Sequence, residues 1–137
     1  MTPDDKAPLT QADYRALADF RRALRAFVHF SEEAARAAGL TPAQHQLLLA
    51  VKGAAGPPTI GEVADWLKLR HHSTVELVDR AVAAGLLERE ADATDGRVQR
   101  LVLTAQGGEK LAGLSVLHRE ELRRLREETL MPLMRLE

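Results

Sequence analysis

Apolar residues recur at spacings of three and four along the first long stretch of the chain, through Tyr14, Leu17, Ala18, Phe20, Leu24, Phe27, Val28, Ala34 and Ala35. That period predicts one helix from Thr10 to about Ala38. Thr10 and Asp13 stand where an N-cap and a third-position acid belong, and Gly39 follows as a left-handed terminator would. A helix of this length with several large apolar side chains has more surface to bury than one subunit can cover, which points to a second copy. Thr41, Pro42 and Gln44 then read as a restart, with a capping box and a proline in the first turn, and Leu47, Leu48 and Val51 carry a second helix. The run Gly53-Ala54-Ala55-Gly56-Pro57-Pro58 ends it. Thr59 and Glu62, three apart, open a short third helix whose buried side is Val63, Ala64 and Leu67.

After a brief turn through Lys68 to Arg70, a fourth helix is predicted from about His71 to Ala84, stopped by Gly85. At the helical angle, Thr74, Leu77, Val78, Ala81 and Ala84 fall in one arc, while His72, Val75, Glu76, Asp79 and Ala83 fill the opposite one. One face belongs to a core and the other can read something. Two short helices joined by a tight turn, the second with a polar outer face, have the form of a helix-turn-helix. Leu86 to Glu90 and Val98 to Leu103 read as strands of a hairpin with a flexible polar tip, Ala91 to Gly96. Thr104 caps a last long helix carrying Leu111, Leu114, Leu117, Leu122 and Leu125, which Pro132 should bend or divide. With no internal repeat or linker in view, the expected fold is one domain over 1–137. It is mainly α with a small two- or three-stranded β wing, a winged helix-turn-helix over 41–103, and long terminal helices over 10–38 and 104–137 for dimerisation.

Composition narrows the function without fixing it. The chain has 137 residues, and its 45% apolar content suffices for one core, made Leu, Val and Ala rich by the 4% aromatic content. The absence of cysteine removes disulfides, thiolate metal sites and thiol-based oxidant sensing, and it fits a reducing compartment. No stretch approaches the roughly 20 apolar residues of a membrane span, and Met1 to Pro8 lacks a signal-peptide run, so a soluble cytoplasmic protein is expected. No phosphate loop, Gly-rich dinucleotide turn, nucleophile elbow or paired-histidine metal helix appears, so neither catalysis nor a cofactor is expected. The formal net charge of −1 argues against a DNA binder, as do the six Lys or Arg set against eight Asp or Glu between Thr59 and Thr104. Only a local arrangement of charge can answer that objection.

Three stretches resemble the MarR family of winged-helix regulators, and together they cover nearly the whole chain. Leu40-Thr41-Pro42 leading into Gln46-Leu47-Leu48-Leu49 is similar to the family's second helix. Ser73-Thr74-Val75-Glu76-Leu77-Val78-Asp79-Arg80 followed by Gly85-Leu86-Leu87-Glu88-Arg89 is similar to its recognition helix and first wing strand. Asp95-Gly96-Arg97 with Leu101-Val102-Leu103-Thr104 and Gly107 or Gly108 is similar to its wing and the start of its fifth helix. The resemblance implies a homodimer built on the terminal helices, recognition helices in successive major grooves of a palindrome, and wings in the adjacent minor grooves. It also implies, for many members, release from double-stranded DNA by a small aromatic or anionic effector held between the dimer helices and the reading domain. The chain departs from the pattern at Arg70, where a Ser or Thr cap is common, at His71-His72, and at Asp92, Ala93 and Thr94, where the wing tip is often basic.

Residue by residue, Arg97 past the hairpin tip is expected to enter a minor groove, held extended by Asp95. His72, Ser73, Val75 and Glu76 project toward base edges, with Val75 suited to a thymine methyl and Glu76 to cytosine N4, unless Glu76 simply pairs with Arg80. Lys68, Arg70 and His71 flank them near phosphates, and Thr59 offers a hydroxyl and an amide to another. Arg100 and Arg89 either touch phosphate or pair with Glu88 and Glu90. His29, His45 and His118, on the first, second and fifth helices, are expected to approach one another near an effector cleft that Trp66 also lines; metal ligation lacks a spacing rule to support it. Leu17, Leu114, Leu122 and Leu125 are the expected dimer contacts. The alternative to a DNA-binding regulator, a repressor by expectation, is a winged-helix dimer that has lost DNA and binds a protein or a ligand.

Overall fold

The computed structural model describes residues 7–134, so Met1–Lys6 and the last three residues of the expected 104–137 segment lie outside the described residues. Five principal helices and one hairpin follow in order: α1 Gln11–Ala37, α2 Pro42–Gly53, α3 Ile60–Leu67, α4 His71–Ala83, β1 Leu87–Ala91, β2 Gln99–Leu103 and α5 Ala105–Leu125. A wide π-type turn, Arg126–Leu130, and a short helical turn, Met131–Leu133, are the last elements among the described residues. No helix among the described residues is long and apolar enough to cross a membrane.

Local chemistry accounts for most of the boundaries. Thr10 and Asp13 form a reciprocal cap at the start of α1, at 2.9 and 3.2 Å. At its other end Gly39 takes φ +80°, and Leu40 N–H reaches back to Ala35 O at 2.9 Å, a Schellman closure. Thr41 and Gln44 complete the capping box of α2. Thr59 caps α3 by accepting from Glu62 N–H at 3.2 Å. Pro132 lacks an amide hydrogen and its ring crowds the carbonyl four residues before it, so the expected division of the last helix takes the form of a wider turn, in which Met131 N–H bonds Arg126 O.

The chain divides into two units, residues 32–116 and, from the described residues, 7–31 with 117–134. The first holds the packed core: Ala35, Leu40, Leu47, Leu48, Val51, Val63, Val78, Ala81, Leu86, Leu87, Leu101, Leu111 and Leu114 are all buried. Leu114 is 2% exposed there, so this expected dimer contact belongs instead to its own subunit's core. Ala84, expected on the core arc of α4, is exposed. β1 and β2 pair antiparallel in the register Leu87↔Leu103 through Ala91↔Gln99. Thr59 adds a one-residue bridge to Arg100, and Leu101 N–H donates to Pro58 O at 2.8 Å, so the α2–α3 loop is a vestigial third strand.

Thr104 joins the end of α4 to the start of α5. Its hydroxyl donates to Gly85 O at 2.6 Å and accepts from Gly107 N–H at 3.0 Å, and its own amide donates to Leu86 O at 3.1 Å. The first turn of α5 therefore presses against Leu86. A Cβ at Gly107 would lie 2.1 Å from Leu86 O, while one at Gly108 would meet nothing within 4 Å, so Gly107 is the glycine the packing requires.

In the other unit α1 and α5 meet through an aromatic cluster. His118 lies edge-on to Phe27 and Phe30, with ring centroids 5.9 and 5.4 Å away, and its Nε2 is 2.7 Å from the buried Ser31 hydroxyl. Tyr14, Leu17, Leu24 and Val28 stay 38–56% exposed. At the helical rotation of about 100° per residue they form one stripe about 80° wide. Leu122 is 48% exposed and Leu125 half-buried.

Candidate nucleic-acid interface

The surface that could read DNA is assembled from α3, α4 and the hairpin, all within residues 32–116. α3 ends at Lys68, which takes the left-handed conformation (φ 59°, ψ 40°) usually left to glycine, and the amides of Lys68 and Leu69 return to the last turn of α3. A lysine there carries a cost of about 1–2 kcal/mol, and it turns the chain sharply enough for α4 to begin three residues later. Arg70 is the N-cap of α4 and makes no side-chain cap bond, so the helix starts where the periodicity predicts but without the usual hydroxyl. The first amides of a 13-residue helix are thereby left for water or an anion, beside Lys68, Arg70, His71 and His72, all exposed.

Along α4, Thr74, Val78 and Ala81 are buried, and the Thr74 hydroxyl bonds back to Arg70 O at 3.0 Å. His71, His72, Glu76 and Arg80 are exposed, and Ser73 and Val75 are half-buried. No ion pair joins Glu76 to Arg80 among the described residues. Asp79 instead pairs with Arg89 of β1, tying the middle of α4 to the hairpin. Arg89 therefore does not take Glu88 or Glu90 as partner.

The wing tip, expected to be flexible, is closely hydrogen-bonded. Asp92 accepts from Thr94 N–H, the Thr94 hydroxyl and Asp95 N–H at 3.1, 2.7 and 3.0 Å through one carboxylate oxygen, and from Arg100 Nε at 2.6 Å through the other. Arg100 also donates to Pro57 O at 2.8 Å. This guanidinium thus clamps the wing to the α2–α3 loop, a structural duty in place of the expected phosphate or Glu88 and Glu90 contact. Asp95 accepts from both the backbone and the side chain of Arg97, at 3.1 Å each, with a second side-chain contact at 3.3 Å. The Arg97 side chain is 91% exposed, so it is aimed without being enclosed. Its guanidinium holds the Asp95 carboxyl below the ordinary carboxylate range, and Arg100 does so more strongly for Asp92.

Sequence reasoning counted Asp92 as a lost basic contact and missed it as the residue that folds the tip. The signal was present in the Asp-x-Thr spacing, which favours an Asx turn. No local signal marks Lys68 for a left-handed turn.

The residues of the expected effector cluster are divided between the two units, His29 and His118 in one and His45 and Trp66 in the other. His29 is exposed, His118 packs with Phe27, Phe30 and Ser31, and His45 is buried in the core of residues 32–116. No three His, Cys, Asp or Glu side chains gather in a metal-binding arrangement among the described residues. Trp66 is 60% exposed and lines a groove of its own between α2 and α3, with no histidine on its walls.

The comparisons agree with this architecture. Residues 38–98 match the model of the MarR family. Among solved structures, Rv1404 from Mycobacterium tuberculosis superposes with a TM-score of 0.73 at 23% identity, covering 89% of this chain and 84% of that one. A mutant of MepR from S. aureus bound to an oligodeoxyribonucleotide gives 0.67 at 19% identity, over 88% and 85%. CouR from Rhodococcus jostii RHA1 bound to p-coumaroyl-CoA gives 0.70 at 22% identity, over 84% and 82%. These likenesses show the winged-helix fold. No curated protein matches the sequence.

Proposed function

With a MarR-family winged helix as its reading unit, this chain, we propose, is a homodimeric, sequence-specific DNA-binding regulator of transcription. The carrying observation is the pairing of an uncapped α4 N-terminus, flanked by Lys68, Arg70, His71 and His72, with a braced wing that presents Arg97. Helix amides and cations at one helix end suit phosphate, and a guanidinium on a rigid hairpin suits a narrow groove. Two copies joined through the exposed stripe of α1 and Leu122 would present two such surfaces to a roughly palindromic operator, with half-sites about 10 bp apart. The role is repression, relieved by a small-molecule effector; the DNA-bound MepR mutant and the ligand-bound CouR support the two halves of that cycle by analogy.

The test is a mobility shift of the purified protein on DNA upstream of its own gene, at about 50 and 200 mM salt. Saturable binding that weakens by about a thousandfold between them is the expected outcome for roughly six neutralised phosphates. Absence of binding at the lower salt overturns the reading. One observation favours the second reading, a winged-helix dimer without DNA. Of the six cations between Thr59 and Thr104, Arg89, Arg97 and Arg100 are already paired with carboxylates.

A further inference from the structure

We infer that the groove between α2 and α3 is a binding site for a small organic cation with a ring-sized apolar body. The groove lies wholly within residues 32–116 and encloses ≈ 380 Å³, within the range of ligand pockets. Leu49, Pro58, Val63 and Trp66 supply apolar walls, and Gly53 lines it where an added Cβ would meet nothing within 4 Å. Its apolar rim is open to solvent, with Trp66 60% and Leu49 40% exposed, so an entering molecule meets apolar surface.

Charge selects the occupant. Glu62 is the one ionisable side chain on the lining, and it stands four residues before Trp66, so carboxylate and indole share one face of α3 a single turn apart. Arg100 faces a neighbouring cavity that also touches Glu62 and feels its charge, but its guanidinium is hydrogen-bonded to Asp92 and Pro57 O, which leaves the Glu62 carboxylate unbridged on the groove side. No ion pair holds Glu62 among the described residues. A carboxylate beside an exposed indole attracts a cation through direct charge and through the ring face, and it repels an anion. The occupant therefore has the charge opposite to that of the anionic molecules among the aromatic or anionic effectors that the family resemblance implies. The site is built from these side chains alone and stands whether or not the chain binds DNA.

Trp66 is the single tryptophan of the chain, so its fluorescence reports the groove directly. Benzyltrimethylammonium titrated into the full-length protein is expected to give a saturable change at least about tenfold tighter than benzoate, with benzyl alcohol between them. Glu62→Gln leaves intact the backbone amide that Thr59 caps, and should weaken the cation about tenfold while leaving benzyl alcohol unchanged. Gly53→Leu should fill the groove and abolish the response, with circular dichroism and melting preserved. No saturable response to the cation, benzoate binding as tightly, or a Glu62→Gln variant that binds the cation undiminished would each overturn the proposal. Since none of these readings involves DNA, a failed mobility shift and a failed titration remain distinct results.

Discussion

Leu47, Leu48, Leu86, Leu87 and Leu101, within residues 32–116, are at most 2% exposed, whereas Tyr14, Leu17, Leu24, Val28 and Leu122 of the terminal-helix unit are 38–56% exposed. Both sets are comparable in size and apolarity, and both lie on regular elements. Residues 32–116 close their own core, and each fully buried Leu there contributes roughly 1.5–3 kcal/mol. The terminal helices leave an apolar stripe on α1 that stays exposed among the described residues. On the proposed dimer, stability and assembly fall to different residues, and the same chemical change should have a different consequence in each place.

The largest effect is expected from Leu114→Asp. An unpaired carboxylate in that core should remove more than about 4 kcal/mol and unfold residues 32–116, seen as loss of the cooperative thermal transition. Leu122→Asp makes the identical change on the exposed side and should keep the helical signal while halving the mass in sedimentation. A folded Leu114→Asp dimer, or a Leu122→Asp protein that stays dimeric, would break the comparison.

Next in size, Gly107→Ala drives a methyl into Leu86 O and should cost about 3 kcal/mol, since backbone cannot yield as a side-chain end can. Gly108→Ala one residue on should be neutral or add up to about 1 kcal/mol, as alanine favours helix. Denaturant midpoints of the two variants measure the contrast. Arg97→Ala touches neither core nor stripe, and should lower DNA affinity about tenfold with unchanged melting. Equal affinity would remove the wing from the interface.

The smallest effect is one of pH. Asp92 and Asp95 are held below the ordinary value of 3.8, so the wing bonds they make are fully present above that value and are lost only as pH falls through the lower values of the folded state. Amide resonances of Thr94 and Asp95 should accordingly stay put from pH 7 to about 4 and move only in stronger acid. Movement already near pH 5 would mean that the carboxylates are not so engaged.

Much of this was legible along the chain because it is local. Thr10, Thr41, Gly39 and Gly85 act on neighbours within a few residues, and their caps and terminators fall where the spacing puts them. The hairpin strands and the three buried positions of α4 followed from periodicity alone. What escaped depends on residues far apart in sequence. Leu114 reads like Leu122 in a helical pattern, and only the three-dimensional packing, which buries the first in the core and leaves the second 48% exposed, separates them. Arg100 found Pro57 across 43 positions, and Arg89 found Asp79 instead of its acidic neighbours. The choice between Gly107 and Gly108 likewise needed the position of Leu86 O.

We propose that two subunits, joined through the exposed stripe, present paired helices and wings to one duplex. Sedimentation of the protein with a duplex carrying its own upstream site tests it most directly. The expected complex holds two chains per duplex, and Leu122→Asp reduces or abolishes it. A saturated complex containing a single chain, or undiminished binding by a Leu122→Asp monomer, would contradict it.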